Sequence, residues 1–244
     1  METRRYALIG HPVEGSLSPR LFEAAYGGRY RYDLIDEPDF DRAWERATAY
    51  DGFNVTAPFK KLAALRADVR SEAVLESGSA NTIVRTPEGL KAYNTDIDGV
   101  LGALSEDPEA SALLQGASAA TVLIVGCGGA AMAAYAALKD RCRLLMAVRS
   151  EASLQKAFSA CQPAADIPYF LLDDPIPSVD LIVYTLPGSA PIPAGLPLDG
   201  AIILEAEYKQ PRLARHPHYI SGRRWLLHQG MAAYRLMTGE EPGA

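Results

Sequence analysis

The run Thr121-Val-Leu-Ile-Val125, followed at once by Gly126-Cys-Gly-Gly-Ala-Ala131, restricts the fold more than any other segment. Five mostly β-branched apolar residues read as a strand buried on both faces. The glycines directly after it permit a turn too tight for side chains, and the alanine-rich run that follows reads as a helix packed closely on the strand. A strand, turn and helix of this kind belong in a parallel sheet with covered faces, so the expected class is α/β. The spacing fits G-x-G-x-x-A. In that pattern the first glycine makes the turn, the second admits a pyrophosphate to the backbone, and small residues let helix and strand approach. Gly126, Gly128, Gly129 and Ala130 are therefore read as a dinucleotide site at a helix N-terminus. A glycine turn that serves packing alone is the alternative.

The chain has 244 residues, 48% of them hydrophobic and 22% charged, which is enough apolar mass for one large or two small cores. From about residue 98, helical and strand patterns alternate regularly: a helix at 100–104 running towards 114, strands at 121–125 and 143–148, a helix at 152–159, and strands at 169–172, 180–184 and 201–204. Residues 187–200 read as a loop. Before residue 98, strands are expected at 6–10, 30–35, 52–56, 81–85 and 90–94, with helices at 20–26, at 40–50 and after Pro58. An amphipathic helix at 225–238 closes the chain.

Several function classes drop out. A net charge of −6 lacks the basic excess that phosphate backbones demand, so no nucleic-acid partner is expected. Cys127, Cys142 and Cys161 read as reduced thiols of a cytoplasmic protein. The apolar run at 6–9 is too short for a secretory core. The uncharged stretch at 110–138 is broken by Gly126, Gly128 and Gly129 and reads as a strand entering a helix rather than a membrane span. His216 and His218 lack a third ligand at suitable spacing, so no metal site is expected.

Polar residues gather where the first-half strands end: Ser16 and Ser18; Asn54, Thr56 and Lys60; Asn81; Asn94, Thr95 and Asp96. Ligands of open α/β sheets bind beyond strand carboxyl ends, and hydroxyls and amides suit a polyhydroxylated molecule. Each also has a plainer reading. Ser18 would cap a helix at Pro19, Thr56 one at Pro58 and Asp96 one from Ile97; Asn81 would serve a turn and Lys60 the surface. After the strand at 143–148, Arg149 and Ser150 suit a ribose 2′-phosphate and favour NADP(H), whereas Glu151 suits the unphosphorylated ribose of NAD.

Taken together, Gly52-Phe-Asn-Val-Thr-Ala-Pro-Phe-Lys60 resembles the G-F-N-V-T-x-P-x-K signature of shikimate dehydrogenases. Ser16-Leu-Ser18-Pro19, Ser79-Ala-Asn81-Thr82, Asn94-Thr-Asp96, the glycine turn and Gln229-Gly230 resemble that family's further motifs in the family's order. Tyr208 resembles its tyrosine beyond the late strands. The resemblance implies NADPH-dependent reduction of 3-dehydroshikimate, with Lys60 and Asp96 as the catalytic pair. It implies substrate contacts from Ser16, Ser18, Asn54, Thr56, Asn81, Tyr208 and Gln229. It also implies a mostly parallel α/β substrate domain at 1–98, rejoined by 222–244, and a Rossmann domain at 99–221, as a monomer or homodimer. The chain departs from the family at Gly15, at Val148-Arg149-Ser150, at Ser153, at Tyr184-Thr185-Leu186 and at Glu205, mostly on the cofactor side. A quinate dehydrogenase using NAD, a binding protein without catalysis, and a lyase with Lys60 as Schiff-base nucleophile are the rival readings.

Overall fold

The computed structural model describes residues 4–116, 120–161 and 167–243. Contacts divide the chain into two units, Met1–Thr95 with Gln229–Ala244, and Asp96–His228, each holding a six-stranded sheet.

The first unit runs β1 (Arg5–Gly10), α1 (Ser18–Tyr26), β2 (Arg31–Asp36), α2 (Phe40–Ala47), β3 (Gly52–Val55), α3 (Lys60–Arg66), β4 (Val69–Arg70), α4 (Glu72–Ser77), β5 (Thr82–Thr86) and β6 (Gly89–Tyr93). Its strand order is β2-β1-β3-β5-β6-β4. Only β5 runs against the others, because the tight turn at Thr86–Gly89 folds it into a hairpin with β6. Period-2 alternation sorts the strand side chains between two layers. Ala7, Ile9, Phe53, Val55 and Ile83 pack on Trp44 of α2 and on Phe59 and Ala63 beside and within α3. Tyr6 faces the other way, onto Phe22 and Tyr26 of α1 and onto Ala233, Tyr234 and Met237 of the last helix, α9 (Gly222–Thr238). The approach is close: a Cβ on Gly52 would lie 3.1 Å from Met237 Cγ. The carboxyl-terminal half of α9 thus completes the core of a unit built mainly from the first 95 residues.

Glu240 latches this return. Its carboxylate accepts from Tyr30 at 2.5 Å and from Arg29 at 2.6 Å. The Tyr30 hydroxyl, with Arg29 and Arg4 adding to it, holds the Glu240 carboxyl below its ordinary value. A carboxyl depressed in the folded state stabilises above its unfolded pKa, and that contribution fades as pH falls through the folded value. Glu240→Gln should therefore lower the thermal midpoint at pH 7 by at most a few degrees, since the pair is exposed. As pH falls through the depressed folded value the gap from the parent protein should close in thermal scans, because both then lack the charge.

The second unit runs α5 (Asp96–Ser105), α6 (Pro108–Gln115), β7 (Thr121–Val125), α7 (Gly129–Leu138), β8 (Arg143–Val148), α8 (Glu151–Phe158), β9 (Tyr169–Leu171), β10 (Leu181–Tyr184), β11 (Ile202–Glu205) and β12 (Tyr219–Ile220), and the amino-terminal part of α9 belongs to it. All its strand pairings are parallel, in the order β9-β8-β7-β10-β11-β12. Counted within the unit this is 3-2-1-4-5-6, the doubly wound order of dinucleotide-binding sheets. Alternate residues again divide. Val122, Ile124, Leu144, Met146 and Val183 meet Val100, Leu104, Met132 and Phe158 of the helices. Leu123, Val125, Leu145 and Ile182 meet Ile176, Val179, Leu196 and Leu213, which lie outside helices.

That irregular cover includes the loop expected at 187–200. Neither the β9–β10 nor the β10–β11 connection contains a helix. Prolines at 175, 177, 187, 191, 193 and 197 remove amide donors and clash with a preceding turn, so these segments cover the sheet as irregular chain. The expected helix from 100 towards 114 is two helices, because Asp107 accepts from Ala110 N at 3.1 Å and Pro108 opens a new first turn. The two-residue strands β4 and β12 and the six-residue α4 were not anticipated; each is too short to show a period. Among the described residues, no helix is long and apolar enough to cross a membrane.

Candidate active site

In the first unit, β1, β3 and β6 end, and the reversed β5 begins, at one edge of the sheet, and the expected polar residues lie there. Asn54 is 7% exposed and its amide is fully occupied: Nδ2 donates to Asn81 O at 3.2 Å and to Thr82 Oγ1 at 3.0 Å, and Oδ1 accepts from Tyr32 at 2.8 Å. Asn81 is the hub. Its Nδ2 donates to Thr95 Oγ1 at 3.0 Å and to Gln229 Oε1 at 2.9 Å, while its Oδ1 accepts from Thr95 N at 2.8 Å. Asn94 Nδ2 donates to Ser77 Oγ at 2.8 Å. Buried amides are tolerated only when paired this completely, so the edge is held rigidly and Gln229 is fixed to it.

Two helix-capping readings fail here. Leu17, not Ser18, stands in the cap position of α1, and no side chain caps that helix. Ser16 Oγ accepts from Ser18 N at 3.3 Å and donates to Ser18 Oγ at 3.2 Å, so the two hydroxyls act as a pair. Tyr234 of α9 anchors the pair by donating to Ser18 O at 3.2 Å. Phe59 stands before α3, again with no side-chain cap, and Thr56 contributes only its carbonyl to Phe59 N at 2.9 Å. Lys60 opens α3, half-buried, and its carbonyl accepts from Ala80 N at 2.9 Å, next to Asn81. With Lys61 it sets two cations and no acid in the first turn of a helix, where the macrodipole favours anions. Tyr32 and Tyr234 were not singled out from sequence; their only signal was an aromatic pattern that reads equally well as core.

In the second unit, β7 ends at Val125 and Gly126 takes φ +109°, a region that favours glycine, with a Cβ there falling 2.6 Å from Thr185 Oγ1. Gly128 differs. Its backbone is extended, φ −79° and ψ −175°, and nothing lies within 4 Å of a Cβ built on it. Packing does not require glycine at 128, whereas a close-approaching phosphate does. α7 carries neither a side-chain cap nor an acid in its first turn, unlike α2, α6 and α8. Gly126, Gly128, Gly129 and Ala130 therefore fit a pyrophosphate.

Arg149 is exposed at the end of β8. Ser150 is drawn towards α8, its Oγ accepting from Ser153 N at 3.3 Å, and Glu151 accepts from Gln155 of its own helix at 3.1 Å. Buried Glu205 accepts from Arg212 N at 2.7 Å and Leu213 N at 3.1 Å, pinning the loop that carries half-buried Tyr208. Burial, and then the Glu205 charge, push the nearby Tyr219 phenol up to about 12. Asp96 does not precede its helix as a cap; it is the first residue of α5, 6% exposed, and it follows Thr95 directly in the chain. His216 Nε2 lies 2.9 Å from Leu198 O and His218 Nδ1 2.7 Å from Glu109; among the described residues, no His, Cys, Asp and Glu cluster is arranged for a metal.

Residues 8–83 match the family model described as the shikimate dehydrogenase substrate binding domain. A shikimate dehydrogenase (NADP(+)) of Halobacterium salinarum is 34% identical over 254 residues, covering 96% of this chain and 93% of the relative. The solved Mycobacterium tuberculosis shikimate dehydrogenase superposes with a TM-score of 0.80 at 28% identity, over 98% of this chain and 95% of that one. A Thermus thermophilus shikimate 5-dehydrogenase, solved with NADP(H) and shikimate, gives 0.79 at 25% identity, over 99% and 95%. Sheet order and glycine turn define an α/β protein of the dinucleotide-binding class, with a second unit presenting a polar sheet edge. Similarity at this level along nearly the whole length narrows the class: the chain belongs to the shikimate dehydrogenase family.

Proposed function

We propose that this chain is an NADP-dependent oxidoreductase that interconverts 3-dehydroshikimate and shikimate in aromatic biosynthesis, acting in the cytoplasm. The observation that carries the reading is the hydrogen-bonded edge of the first unit, where Asn81 bonds Asn54, Thr95 and Gln229 from three other stretches of chain. A bound nicotinamide supplies the hydride chemistry. The chain supplies the rest. Reduction of a ketone leaves an alkoxide, and the Lys60 ammonium donates the proton to that oxygen and takes it back in the reverse direction. Asp96 binds a ring hydroxyl. Ser16 and Ser18, a hydroxyl pair, donate to the substrate carboxylate, and Thr56, Asn81, Gln229 and Tyr208 serve the remaining oxygens. Asn54, with its amide committed between β2, β3 and β5, supports the edge from behind.

On the cofactor side, Arg149 is the group for a 2′-phosphate. The test is oxidation of shikimate and of quinate, each with NADP+ and NAD+, followed at the nicotinamide absorbance. Shikimate with NADP+ should turn over fastest. Arg149→Ala should raise the KM for NADP+ by about tenfold or more and leave the KM for NAD+ nearly unchanged, as loss of a charge-assisted bond to the phosphate requires. No turnover with any pair would overturn the proposal.

A further inference from the structure

We infer that Trp225 is a positioning residue for the Asp96 carboxylate, an inference that rests on the reading of Asp96 given above. Its indole Nε1–H donates to Asp96 Oδ1 at 3.3 Å across 129 residues of sequence, and the two residues are 4% and 6% exposed. An indole nitrogen donates and never accepts, so this contact gives one carboxylate oxygen a fixed donor. A buried carboxylate needs such a donor.

The seat for the ring is cut into α5 itself. A Cβ on Gly99, three residues along from Asp96, would lie 2.3 Å from Trp225 Cδ1 and 2.8 Å from Nε1. Any larger residue at 99 would push the indole away from the carboxylate. Three residues further, Gly102 makes the same allowance for His228, whose ring Cγ would lie 2.3 Å from a Cβ there. His228 Nε2 is in turn 2.9 Å from Glu106 Oε1. The row Asp96, Gly99, Gly102 and Glu106 thus receives Trp225 and His228 of α9 at two points, which fixes the helix and holds the indole donor in register with Asp96. Trp225 also packs on Val100 and Leu104, so a purely apolar role is the reading to be separated from this one.

Trp225→Phe separates them, since it keeps an aromatic ring over Gly99 and removes only the donor. In shikimate oxidation with NADP+, kcat should fall by about tenfold, the usual cost of a hydrogen bond to a charged group. The KM for NADP+ should stay within about twofold and the thermal midpoint close to that of the parent. Asp96→Ala should lower kcat by itself, and adding Trp225→Phe to it should lower kcat no further, because alanine leaves the indole nothing to act through. An unchanged kcat in Trp225→Phe, or the same fold-loss in both backgrounds, would overturn the inference while leaving the catalytic reading of Asp96 intact. Full activity in Asp96→Ala would instead overturn that catalytic reading, and the inference with it.

Discussion

Lys60→Ala is expected to lower kcat for shikimate oxidation by roughly 10² to 10⁴, with the KM for shikimate changed only a few fold. The lysine supplies the proton, whereas the hydroxyls and amides around it supply binding, so the loss should appear in turnover and not in affinity. The same substitution should leave the thermal midpoint unchanged or slightly raised. Lys60 begins a helix whose first turn already carries Lys61 and no acid, a poor place for a cation, and alanine is the better helix former. Turnover should therefore fall while stability holds or rises, which excludes unfolding as the cause of lost turnover. Near-normal kcat in this variant would mean that the alkoxide takes its proton elsewhere. Stopped assays in both reaction directions, beside a thermal scan, make the comparison.

Gly128→Asp is expected to weaken NADP(H) by at least about 100-fold without harming the fold. The backbone at 128 is one that any residue adopts, and the space around its Cβ is open. An acid in the cap position of α7 even supplies the side-chain acceptor that this helix lacks, so the thermal midpoint without cofactor should hold or rise. The carboxylate would stand where a pyrophosphate must rest. Two unit charges 4 Å apart repel by about 1 kcal/mol in water and about 4 kcal/mol at an effective dielectric of 20, and the side chain also blocks approach. Fluorescence titration with NADPH measures the effect. Unchanged binding would show that the glycine turn serves packing alone. Gly126 offers no such clean test, because its positive φ strains any substituted residue regardless of ligand.

Much of the architecture was legible locally. The strands at Thr121–Val125 and Arg143–Val148 stand where the apolar runs placed them, since a buried parallel strand announces itself by continuous branched residues between turn signals. The hairpin β5–β6 followed from Thr86-Pro-Glu-Gly89 in the same way. Capping was read less well. Ser18 and Thr56 precede or adjoin prolines and so carry a cap signature, yet neither caps, because α1 and α3 begin one residue earlier and two residues later, respectively, than those prolines suggested. The irregular cover on one face of the second sheet was legible at 187–200, where closely spaced prolines deny helix and strand alike. On the site, the polar residues were found as a set, but not their division of labour.

Spacing and residue type alone were enough for the α/β class, the glycine turn with its helix, and the short motifs that carry the family likeness, since each depends on neighbours within a few positions. Tertiary packing decided which of those polar groups turn towards one another. Asn54 is spent on Tyr32 and Thr82, Asn81 reaches Gln229 148 residues away, and Trp225 reaches Asp96. Such pairings are set by where the sheet edge and the returning helix α9 bring side chains after the cores have formed, and a local pattern carries no information about partners that distant in the chain.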